Sequence, residues 1–154
     1  MVKEDRDAAV GSDRNKRLLT LLALCLSLSC FDLWVKLLIP TPEWALHQRS
    51  LVWAIGCGVL LAGLVPLSRV PSNAVMFGAG LLSGGVLGNL ISAGVDHLEV
   101  PNPFLLMTAH GGIAFNPADT FILGGNLVLI VALCDLLVRH RDRLPKHAFL
   151  RARR

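Results

Sequence analysis

Charge is scarce in this sequence and unevenly placed. Only 17% of the 154 residues are charged, and between Arg17 and Arg139 the basic residues are Lys36, Arg49 and Arg69 alone. The basic residues behind the net charge of +4 therefore lie almost wholly in the two tails, with no basic patch interleaved with aromatics. That placement argues against a nucleic-acid partner. The four cysteines, Cys25, Cys30, Cys57 and Cys134, lie inside apolar runs and form no C-x-x-C pair. A disulfide framework or thiolate metal site has no support there, and the thiols read as small apolar residues. His47, His97, His110, His140 and His147 are scattered, without H-x-x-x-H or H-E-x-x-H spacing; no metal is assigned. There is no G-x-S-x-G elbow, and no Ser-x-x-Lys pair at the expected outer face. Internal repeats and low-complexity segments are absent as well.

What the chain has in abundance is apolar length. Hydrophobic residues make up 53% and the mean hydropathy is +0.58, well above an ordinary soluble domain. Four apolar runs, 18–39, 51–67, 74–95 and 115–138, approach the span of a ~30 Å hydrocarbon core at ~1.5 Å rise per residue. The first is read as a retained span, not a cleaved signal peptide, because no A-x-A site follows it. The expectation is an all-α membrane protein, a bundle of four transmembrane helices over 18–139. A disordered, cytoplasmic polar tail over 1–17 and a basic cytoplasmic tail over 140–154 flank it. The short loop 40–50 carries Trp44 between Trp34 and Trp53, as an interfacial aromatic belt would. The loop 96–114, with Pro101, Pro103 and Gly111-Gly112, reads as mostly irregular, with at most a short piece of strand. The glycines of the third run, Gly78 to Gly88, read first as close-packing positions between helices.

Lys and Arg bias places both tails in the cytoplasm and the two proline-bearing loops outside. Polar residues then gather at one depth. Asp32 and Lys36 end the first span, Asn89 and Ser92 the third, and Asn116 and Asp119 open the fourth. Polar groups from separate spans at a single level suggest a site. Asp32 and Lys36, four apart, share a helix face and pair. Asn89 is open to two readings, an interhelical hydrogen bonder or a site residue. Asn116 is a candidate helix cap. Asp119, a carboxylate at a helix start, is the candidate acid–base group.

The run Gly84-Gly85-Val86-Leu87-Gly88-Asn89, followed by Ala114-Phe115-Asn116-Pro117-Ala118-Asp119, resembles the motifs of signal peptidase II, the lipoprotein signal peptidase family of bacterial inner membranes. Asp32-Leu33-Trp34-Val35-Lys36 is similar to that family's D-Q-x-x-K. The resemblance implies a multi-pass inner-membrane aspartyl endopeptidase with its site at the extracytoplasmic face. It would cleave the signal peptide of a lipid-modified prolipoprotein and need no cofactor. Asp119 matches one catalytic acid of the family. The other falls at Asn102, within Val100-Pro101-Asn102-Pro103-Phe104, where an amide replaces the carboxylate. Asp96 and Glu99 are the acids of the same loop that could substitute. Asp32, Lys36, Asn89 and Asn116 would support the site. The first loop is expected to be too short for the family's extracytoplasmic β-structure. Two readings follow from the resemblance: a divergent peptidase, or an inactive relative that binds lipidated peptide or lipid.

Overall fold

A computed structural model of the chain describes residues 2–109 and 111–141, with side chains from residue 11 onward. Beyond Arg141, the basic tail expected over 140–154 lies outside the described residues, as do His110 and His147. Four helices form the bundle: α1 (Val2–Leu38), α2 (Leu51–Leu64), α3 (Asn73–Val95) and α4 (Pro117–Arg139). All four are long and apolar enough to cross a membrane, α2 with the help of the 3-10 turn Val65–Arg69 that continues it. The polar segment 1–17, expected to be a disordered tail, instead continues α1, which is helical from Val2.

α3 is the central element. It packs against α1, α2 and α4, and Val75, Ala79, Leu82 and Val86 put its apolar stripe into the core with Leu21, Leu64, Leu129 and Ala132. The reason is size. Gly84 and Gly85 let α1 and α4 approach so closely that an added Cβ would strike Leu28 on one side and the Ala118 carbonyl on the other. The outer faces of α1, α2 and α4 are covered in exposed Leu, Val and Ile. In water that surface would be an aggregation hazard; for membrane helices it is the lipid contact.

The loops are more ordered than their sequences suggest. β1 (Leu46–Gln48) follows a 3-10 turn at Glu43–Ala45 and pairs antiparallel with β2 (Glu99–Pro101), in the register Leu46↔Pro101, His47↔Val100, Gln48↔Glu99. β3 (Phe104–Thr108) and β4 (Gly111–Phe115) form a hairpin. Phe104 and Phe115 pair across it with ring centroids 5.6 Å apart, and Gly111 supplies the left-handed backbone of its turn at φ 133°. Two expectations are corrected here. The loop 96–114 is largely strand, and the first loop, short as it is, contributes β1. Three residues suffice because β1 needs only one partner and finds it in the last loop. The Arg49 N–H donates to Leu98 O at 2.7 Å and the Asn102 N–H to Ala45 O at 3.2 Å, closing both ends of the ribbon.

Candidate functional site

The site lies at the end of the bundle where α1 and α3 finish and α4 begins. It starts from the unpaired N–H groups that every helix N-terminus exposes. Asn116 caps α4: its Oδ1 accepts from the Asp119 N–H at 2.9 Å, and Asp119 Oδ2 accepts in return from the Asn116 N–H at 3.2 Å. This reciprocal capping box satisfies two donors at once. A third, the Ala118 N–H, donates at 2.9 Å to Asp32 Oδ1, a side chain from α1. Asp32 thus caps a helix other than its own, and it is fully buried.

Its second oxygen holds Lys36, whose Nζ is 2.6 Å away. The same ammonium donates to Asn89 Oδ1 at 2.8 Å and to Ser92 Oγ at 3.1 Å. An ammonium has three N–H donors, and Lys36 therefore has none to spare. The expected i,i+4 pair is present, and it also ties α1 to α3.

Asn89 joins both halves of the network. Its Oδ1 accepts from Lys36 and from Asn116 Nδ2 (3.0 Å), and its Nδ2 donates to Asp119 Oδ1 at 3.0 Å. Of its two readings, the interhelical hydrogen bonder is thereby realised, and one of its partners is the candidate acid. Gly88 precedes it for a steric reason: a Cβ there would come within 2.7 Å of Asp32 Oδ2.

Asn102 reaches the same network from the β2 side. Its Oδ1 accepts from Asn116 Nδ2, and its Nδ2 donates to His47 Nδ1 at 2.7 Å. Asn102 is 2% exposed. It makes no hydrogen bond to Asp119; Asn116 stands between them. Asp96, at the C-cap of α3, and Glu99, in β2, make no hydrogen bond to Asp119 either, and both line a cavity that Asp119 does not.

Asp119 is half-buried, its Oδ1 accepting from the Asn89 side-chain amide of α3 and its Oδ2 from the Asn116 N–H at the N-terminus of α4. Asp119 is the one carboxylate of the network that is not fully buried, and among the described residues no second carboxyl group is hydrogen-bonded to it. Among the described residues no cluster of three or more His, Cys, Asp or Glu is arranged to hold a metal.

His47 was invisible as a site residue in the sequence. Its place is set by the β1–β2 register, which no local pattern announces. Ser92, in contrast, is found with Asn89 by its position three residues further along the same helix.

No protein-family model matches the sequence, and no curated protein matches it. Solved structures do. One bacterial membrane enzyme, determined by the in meso method at 2.3 Å, superposes with a TM-score of 0.60 at 19% identity, over 82% of this chain and 92% of that one. A second structure of the same description, at 1.9 Å, gives 0.59 at 21% identity, over 74% and 92%. The protein is thus a membrane protein with the fold of bacterial membrane enzymes. At these identities the likeness is one of fold.

Proposed function

We propose that the protein is a divergent membrane protein of the signal peptidase II type that takes a lipid-modified prolipoprotein peptide beside Asp119 and binds it without cleaving it. One observation carries the reading. Asp119 is the sole accessible carboxylate in the network, and the position of the second acid is filled by Asn102, a buried amide already satisfied by Asn116 and His47. Aspartyl hydrolysis uses two carboxyl groups sharing a proton, one to activate water and one to protonate. An amide does neither, and loss of one acid–base partner typically costs ~10²–10⁴ in rate.

A second reading is the peptidase itself, an aspartyl endopeptidase with Asp119 as base and Asp96 or Glu99 as acid. It is favoured by the ordered surroundings of Asp119: the cap, the Asn89 donor and the buried Asp32–Lys36 pair.

Purified protein in detergent, given a diacylglyceryl-modified prolipoprotein peptide, separates the two. Measured binding without cleavage products by mass spectrometry, with binding weakened in Asp119→Asn, is the expected result. Cleavage by the unmodified chain that Asp119→Asn abolishes would establish the peptidase. Asn102→Asp tests the architecture: cleavage appearing only in that variant identifies a lapsed enzyme with its groove intact.

A further inference from the structure

Beside the Asp119 network, and sharing Lys36 with it, lies a cavity of about 440 Å³, lined by Lys36, Thr41, Leu46, Asp96, His97 and Glu99 among others. Its charge is one-sided. Lys36 is neutralised by Asp32 and has spent its donors. Asp96 and Glu99 make no side-chain hydrogen bond and no ion pair among the described residues. Arg49, whose N–H is bonded to Leu98 O, stacks over the Trp53 ring at 5.2 Å and pairs with neither acid among the described residues. The helix ends add to this, because α1 and α3 both terminate here and the C-terminal ends of helices favour cations. A hydroxyl lines the same cavity as the acids: Thr41 Oγ1 is buried and, like Arg49 Nε, has no hydrogen-bond partner among the described residues, a costly state for a hydroxyl unless a ligand completes it.

The cavity does not stop at this polar chamber. An adjoining one of about 290 Å³ shares Lys36, Asp96 and Pro101 with it and is walled by Leu33, Leu37, Ile91 and Val95. Leu37 is 85% and Val95 73% exposed, so this groove between α1 and α3 opens sideways onto the lipid-facing surface. A molecule filling both chambers needs an apolar chain, a hydrogen-bond acceptor for Thr41 and a cationic head with N–H donors for two carboxylates.

We infer that the joined chambers bind an amine-headed phospholipid, its primary ammonium between Asp96 and Glu99, its phosphate or ester oxygen at Thr41 and one acyl chain in the α1–α3 groove. A membrane lipid is the occupant because the groove is entered from the bilayer. A primary ammonium is selected over a quaternary one because only the former donates hydrogen bonds to the carboxylates. The site is separate from peptide binding at Asp119; under the peptidase reading the ammonium would occupy the same Asp96 and Glu99 that would have to serve as the acid.

Native mass spectrometry of the full chain, from micelles doped with equal amounts of phosphatidylethanolamine, phosphatidylcholine and phosphatidylglycerol of one acyl composition, reads the preference directly. The expected result is retention of the ethanolamine lipid by about tenfold over both others. The preference disappears in Asp96→Asn/Glu99→Gln, weakens in Thr41→Val and is unchanged in Asp119→Asn. Equal retention of all three lipids, preference for the glycerol headgroup, or a preference that survives Asp96→Asn/Glu99→Gln overturns the inference. So does retention that a lysine-containing peptide produces and the ethanolamine lipid does not. Should the double variant fail to fold, the unmodified chain still decides: retention must fall with each methyl added to the ethanolamine nitrogen, and no such dependence overturns it.

Discussion

Asp32 has two obligations, to a lysine on its own helix and to the first turn of α4. Both would be unaffordable in lipid if either were left open, since an unpaired buried charge is among the costliest features a membrane segment can carry. Lys36→Met therefore leaves Asp32 with an uncompensated charge, and we expect it to destabilise the protein by about 3–5 kcal/mol. Lys36→Met combined with Asp32→Asn removes both charges while keeping an acceptor for the Ala118 N–H, and it should recover a good part of that loss. Thermal unfolding in detergent measures the difference, and a double variant as unstable as the single one would show that the pair is not acting as a unit. The same economy governs Asn102. Its two amide atoms are both engaged, so the position is part of the structure whatever its catalytic value.

At the scale of the helices, Gly78 to Gly88 of α3, with Gly125 of α4 packed against them, differ from the other helical glycines. Gly84, Gly85 and Gly88 each have a neighbour where a Cβ would go, whereas Gly56, Gly58 and Gly124 face open space. The expectation of close packing holds for α3, because it is the helix with neighbours on several sides. Gly88→Ala forces a methyl toward the Asp32 carboxylate, and we expect a cost of about 1–3 kcal/mol. Gly124→Ala, with nothing within 4 Å, should stay within about 0.5 kcal/mol. Equal effects of the two substitutions on the unfolding midpoint would contradict this account of α3. The β1–β2 ribbon acts at the same scale. It joins two loops far apart in sequence and thereby carries His47 to Asn102.

For the molecule as a whole, the four spans put the loops 40–50 and 96–114 and the Asp119 network at one end, and the start of α1's apolar segment with the α2–α3 connection at the other. We predict that Glu43→Cys and Ile113→Cys, in a background without the four native cysteines, react with a membrane-impermeant maleimide from the extracytoplasmic side of intact cells. Ser12→Cys should react only after the membrane is opened. Labelling of Ser12→Cys in intact cells would reverse the orientation, which rests on the Lys and Arg bias of the flanks.

The sequence by itself determined the four spans, because a hydrocarbon core demands an unbroken apolar length that composition alone displays. It also determined that Asp32, Lys36, Asn89, Asn116 and Asp119 would meet, since spans of fixed length bring their ends to common levels. Only the tertiary structure decided who bonds to whom. Asp32 capping α4, Asn116 separating Asn102 from Asp119, and Asp96 and Glu99 lining a different cavity all depend on rotation of helices about their axes and on strand register. The pairing of β1 with β2 joins segments some fifty residues apart, and a long-range contact of that kind leaves no periodicity in either partner for a reader of the sequence to find.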